Sequence, residues 1–166
     1  MFNIGDKVVY PMHGAGVIEA IEEKEILGAW KKYYIMNIPI GDMKVMIPLD
    51  NVGQVGLREV IDGDGVEQVF SILRDNHSKM SANWNRRYRA NMEKIKSGDI
   101  FKVAEVVRNL ALREQEKGLS TGERKMLDSA RQILVSELIL AKNISEQDMD
   151  EILRQFFIGK RTIVNC

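Results

Sequence analysis

The period of the apolar pattern changes once along this chain, near residue 60, and that change limits the fold more than any other feature. Before it, apolar stretches are short, β-branched and separated by turn residues. "DKVVYP" stops at Pro11. "GAGVIEAIEEKEI" alternates, with Val17, Glu19, Ile21 and Glu23 on one side and Ile18, Ala20 and Glu22 on the other. "WKKYYIMNIPI" and "MKVMIPL" follow, and "QVGLREV" is a weaker fifth stretch. Turns are signalled at His13-Gly14, Leu27-Gly28, Ile40-Gly41-Asp42 and Asp50-Asn51. Five short strands with tight connections predict a small, strongly bent antiparallel β-barrel.

After "DGDG" (Asp62 to Gly65) the repeat becomes helical. Val66, Val69, Phe70 and Leu73 form one face, and a polar turn runs from His77 to Ser81. Ser81 is a competent cap for a helix reaching about Lys96, which Ser97-Gly98 stops. Asp99 caps the next, with Ile100, Val103, Val106, Val107 and Leu110 as its stripe and Gly118 at its end. Ser120 and Glu123 form a capping box. The helix they open carries Met126, Leu127, Ala130, Ile133, Leu134, Glu137, Leu138 and Ala141, and "SEQD" (Ser145 to Asp148) opens a fifth. The predicted architecture is α+β in two domains. Residues 1–60 form the barrel, residues 61–158 form an all-α domain of about five helices, and residues 159–166 form a tail without a clear pattern.

Enzymatic chemistry finds little support. His13 and His77 are the only histidines and Cys166 the only cysteine, so a multi-histidine metal site or an internal disulfide is not expected. "HGAG" (His13 to Gly16) lacks the Lys-Ser/Thr of a phosphate loop and opens into a strand, so it reads as a hairpin turn. "DGDG" lacks the later ligands of a calcium loop and reads as a linker with an acidic helix start. Glu22, Glu23 and Glu25 read as a solvated strand edge or a partner surface. No apolar run is long enough to span a membrane, and the N-terminus has no basic lead or apolar core of a signal peptide. A cytoplasmic protein is expected.

Charge sharpens the functional reading. The chain is neutral overall, with 24 Lys/Arg against 24 Asp/Glu, but residues 76–102 carry 7 against 2. This segment contains "NWNRRYRANMEKIKSGD", in which Trp84 precedes Arg86, Arg87 and Arg89. At about 100° per residue, Trp84 shares an arc with Tyr88, Met92 and Ile95, which places it on a packed stripe. In the first turn it can instead project past that stripe, as an aromatic among phosphate-binding cations. Arg124 and Lys125 form a second basic pair just inside the capped helix. The helix dipole disfavours cations there, while free N–H groups favour phosphate.

"GDKVVYPMHGAGVIEAIE", "NWNRRYRANMEKIKSGDIFKVAEVVRNL" and "LSTGERKMLDSARQILVSEL" resemble the bacterial CarD/CdnL transcription regulators, over about residues 2 to 142. Transcription-repair coupling factors carry a module similar to the first of these segments. The resemblance implies a Tudor-like N-terminal barrel that binds the RNA polymerase β subunit. It also implies a helical domain that binds promoter DNA at the upstream edge of the bubble. There the residue matching Trp84 wedges into the minor groove and stabilises the open complex. Arg86, Arg87, Arg89, Arg124 and Lys125 would lie near the DNA backbone. Polymerase contact would involve Lys24, Lys44, Val45, Met46 and Ile47. Family members often have arginine at the positions of Lys24 and Met46; Lys24 keeps the charge without the planar fork, and Met46 keeps neither. This reading calls for no enzyme activity, cofactor, metal, membrane or small-molecule substrate, and for association with the nucleoid through polymerase. The alternatives are a stand-alone RNA-binding module and a metal-dependent hydrolase using the scattered carboxylates. The net-negative strand half argues against the first, and the lack of clustered acids against the second.

Overall fold

The computed structural model describes residues 1–76 and 79–164, with side chains described up to Phe157. The readings of His77 and Cys166 therefore lie outside the described residues.

The first part is a five-stranded antiparallel sheet. Its strands are β1 (Lys7–Tyr10), β2 (Gly14–Ile26), β3 (Ala29–Ile38), β4 (Met43–Pro48) and β5 (Arg58–Glu59), in the order β4-β3-β2-β1-β5. The edge strands β4 and β5 do not pair, so the small bent barrel is open along one side. Val8, Ile18, Tyr34, Met36, Ile38 and Ile47 form its core. A register shift between Ile18 and Ala20 bends β2. Beyond the bend, β2 and β3 continue as a long hairpin to the turn at Leu27 (φ 53°) and Gly28 (φ 79°). Two consecutive positive φ values match the twist of a tight two-residue hairpin. The fifth stretch is mostly not strand. Leu49–Asn51 is a 3-10 turn, Val52–Val55 is one helical turn (α1), and only Arg58–Glu59 pairs with β1. Gly56, at φ 75°, ends α1 and breaks the stretch.

Five longer helices follow: α2 (Gly63–Arg74), α3 (Trp84–Lys96), α4 (Ile100–Glu116), α5 (Thr121–Lys142) and α6 (Glu146–Val164). The side chains of Asp62, Asn83, Asp99 and Ser120 each accept a backbone N–H in the first turn of α2 to α5. Asn83, two residues beyond the expected Ser81, is the cap of α3. The "DGDG" segment lies largely inside α2. Residues read as a tail from 159 continue α6 as far as Val164. The apolar stripes of α2, α4, α5 and α6 meet in one core that includes Leu73, Leu110, Leu134, Leu138 and Met149.

Helix α5 also carries the sheet. Ser136 Oγ accepts the Ala15 N–H at 2.8 Å and donates to the Ile133 carbonyl. Gly14 stands at φ 118°, and a β-carbon there would lie 2.9 Å from Ser136 Oγ. "HGAG" is thus a hairpin turn whose bare backbone lies against a helix. Glu137, fully buried, takes both arms of Arg58 at 2.8 Å and the Ile61 N–H at 2.9 Å. Arg58 Nε also donates to the Gly98 carbonyl, and Lys7 Nζ to the Leu140 carbonyl.

Candidate nucleic-acid interface

The exposed tip of the helical part forms where α3 begins beside the first turn of α5. Trp84 is the first residue of α3, and the residue is 41% exposed. Tyr88, one turn on, stacks on the indole with ring centroids 4.9 Å apart and planes 20° apart. The indole Nε1–H donates to Ser120 Oγ at 3.0 Å. Exposure falls along the predicted stripe, from Trp84 through half-buried Tyr88 and Met92 to Ile95 at 4%. Trp84 therefore leaves the packed stripe at its first turn while Tyr88, Met92 and Ile95 stay on it.

Arg87 is the correction to the expected set of phosphate ligands. The buried line of α3 is Arg87, Asn91 and Ile95, one step round from the apolar arc. Arg87 Nε and Nη2 hold Glu123 at 2.7 and 3.0 Å, and Nη1 donates to the carbonyls of Ser81 and Ala82. With both side chains buried, this guanidinium has no face left for a phosphate. Hydrogen bonding from Arg87 holds the Glu123 carboxyl below the usual carboxylate range, against the opposing effect of burial. The same contact holds Arg87 above its ordinary value. Glu123 was legible as a capping-box acid, but its carboxylate turns to Arg87 and to Ser120 Oγ, 3.4 Å away.

Arg86 and Arg89 are exposed on α3, and Arg124 and Lys125 on α5. Among the described residues, Arg124 pairs with Glu114 at 3.4 Å, whereas no ion pair involves Arg86, Arg89 or Lys125. Lys125 shares a shallow groove with Met12, Tyr88, Met92 and Gly122. The tip therefore combines a partly exposed tryptophan with three cations, Arg86, Arg89 and Lys125, that form no ion pair among the described residues. Among the described residues no group of His, Cys, Asp or Glu is arranged to hold a metal, and no helix is long and apolar enough to cross a membrane.

A second surface lies on the sheet. Lys24 pairs with Glu22 at 3.4 Å, and Lys44 with Glu19 at 3.5 Å; all four side chains are substantially exposed. Met46 is 39% exposed and Val45 half-buried, both on edge strand β4. Ile47 points into the sheet core at 1% exposure, so its side chain offers no contact, contrary to expectation. Leu27 and Trp30 stand open at the β2–β3 tip, at 102% and 68%. In sequence both read only as turn or strand residues. The available signal was an apolar Leu-Gly turn next to a tryptophan.

Comparison with known proteins covers both parts. Residues 2–61 match the family described as "CarD-like/TRCF RID domain", and residues 68–154 match "CarD, C-terminal domain". A Bacillus subtilis protein named "Putative transcription factor YdeB" is 44% identical over 149 residues, 90% of this chain and 97% of that protein. A solution NMR structure of the 72-residue N-terminal domain of Myxococcus xanthus CarD is 32% identical, with a TM-score of 0.32. That match covers 36% of this chain and 79% of the solved one.

Proposed function

The chain belongs to the CarD family of transcription regulators, and from that premise we propose that it bridges RNA polymerase and promoter DNA. The sheet engages the polymerase β subunit. The tip of α3 and α5 engages DNA at the upstream edge of the bubble, where Trp84 wedges into the minor groove and favours the open complex. The observation that supports this reading is Trp84, 41% exposed at a helix start, with Arg86, Arg89 and Lys125 in no ion pair among the described residues. Cations on phosphates position a protein without reading sequence, and an apolar wedge gains most where base steps are already parting. Contacts made only with opened DNA shift the population toward the open state.

The polymerase side rests on β4 and the β2–β3 tip. An edge strand offers unpaired N–H and C=O groups to a partner strand, and Met46, Leu27 and Trp30 supply exposed apolar area beside it. The DNA ligands are Trp84, Arg86, Arg89, Arg124 and Lys125; Arg87 supports them from beneath.

Charge reversal tests the DNA side. Arg86→Glu or Arg89→Glu lowers DNA affinity and flattens the salt dependence, by about 0.9 in log–log slope for each phosphate no longer neutralised. An unaltered slope removes that arginine from the interface. Met46→Glu with Trp30→Ala abolishes co-purification of polymerase; undiminished recovery refutes the sheet as the polymerase surface.

A further inference from the structure

We propose that the first turn of α5 is the mount that sets the pose of the Trp84 ring, with Ser120 and Gly122 as its positioning residues; this rests on the wedge reading above. A serine hydroxyl has one proton to give and two lone pairs to offer. Ser120 uses all three. It accepts the indole Nε1–H at 3.0 Å and the Glu123 N–H at 3.2 Å, and its proton points toward Glu123 Oε1 at 3.4 Å. The group that caps α5 is therefore the group that fixes the edge of the tryptophan.

Gly122 supplies the space. A β-carbon there would lie 3.4 Å from Trp84 Cζ2 and 3.8 Å from Tyr88 Cε2. That one atom would just touch the ring, so a larger side chain there is expected to press on it. Tyr88 covers one indole face, Gly122 borders its far edge, and Ser120 ties its nitrogen. Beneath them, Arg87 clamps Glu123 and so locks the start of α5 to the start of α3.

An exposed tryptophan on a helix end ordinarily samples several rotamers, and ordering it on binding costs free energy. Here that ordering is done before DNA arrives. The tip is a preset wedge rather than a loose aromatic that finds its place in the groove.

Two kinds of variant separate this positioning from stability. Glycine is nearly as good a helix cap as serine, so Ser120→Gly releases the indole with little loss of helix. Leucine is a better helix former than glycine, so Gly122→Leu displaces the ring without weakening α5. Ser120→Thr keeps the hydroxyl.

The first measurement is acrylamide quenching in a Trp30→Phe chain, whose remaining tryptophan is Trp84. Quenching is expected to rise with Ser120→Gly and Gly122→Leu and to stay at the parent level with Ser120→Thr. The second is open-complex lifetime, with purified RNA polymerase holoenzyme on a linear promoter fragment and an otherwise unaltered chain. There Ser120→Gly and Gly122→Leu are expected to lose at least half of the stabilisation that Trp84→Ala loses. Ser120→Thr is expected to retain it, and the melting temperature of Gly122→Leu is expected not to fall. Unchanged quenching in both releasing variants overturns the mount. Raised quenching with an undiminished lifetime, while Trp84→Ala still abolishes the effect, shows that the pose is irrelevant and overturns the proposal. No effect of Trp84→Ala overturns the wedge itself, and the mount's role in the open complex with it.

Discussion

The two ends of α5 (Thr121–Lys142) make the same bond for different purposes. Near its start, Glu123 holds the fork of Arg87 from α3; fourteen residues on, Glu137 holds the fork of Arg58 from β5. Both carboxylates are buried. The arginines differ. Arg87 is 4% exposed by side chain and Arg58 31%. A buried arginine that loses its partner is stranded, whereas a partly exposed one turns to water. The first pair therefore secures the tip within the helical part, and the second sets how the sheet sits on that part. One helix registers the proposed DNA surface to the proposed polymerase surface.

The comparison can be broken most strongly at the tip. Glu123→Ala strands Arg87 and is expected to cost about 3–5 kcal/mol, read by urea unfolding. A loss below about 1 kcal/mol would mean that Arg87 finds water and that the two ends do not differ. Glu137→Ala is expected to cost less, about 2–3 kcal/mol, because Arg58 rehydrates while the Ile61 N–H loses its acceptor. It is also expected to leave polymerase binding intact and weaken the promoter effect, since the two surfaces lose their registration. Equal loss of both activities would deny that role.

Ser136→Ala sharpens the same point. It leaves the buried Ala15 N–H without its acceptor and is expected to cost about 1–2 kcal/mol. The deficit should vanish in an isolated helical fragment, if that fragment folds; its persistence there would place the cost inside the helices. The smallest effect is in pH. The Glu123 carboxyl is held down in the folded chain, so the unfolded chain binds more protons between its two values and stability rises with pH there. This contribution is complete above the unfolded value, about 4.3, and is lost as pH falls through the folded one. Glu123→Gln is expected to flatten the acid side of the stability profile; an unchanged slope would remove the pair as its source.

Much of this was readable from residues in order. The change of period near residue 60, the Leu27-Gly28 turn and the Asp99 and Ser120 caps are local patterns, and local chemistry decides them. Trp84 was legible only in part: periodicity placed it on the packed stripe, and its first-turn position together with the family resemblance pointed it outward. What was missed depends on partners far along the chain. Arginine is a surface residue by default, and the family resemblance placed Arg87 near the DNA backbone; its counter-ion stands 36 residues away. Glu137 was visible as a charge within an apolar stripe, which signals a buried partner without naming it. Ser81 and Asn83 are both good caps, and only the packing of α3 chooses between them.

The most direct test of the central claim is the lifetime of the open complex formed by purified RNA polymerase on one promoter, with the intact chain or with Trp84→Ala. The account predicts a longer lifetime with the intact chain, and a return toward polymerase alone with a folded Trp84→Ala that still binds polymerase. An equal lengthening by both would contradict it.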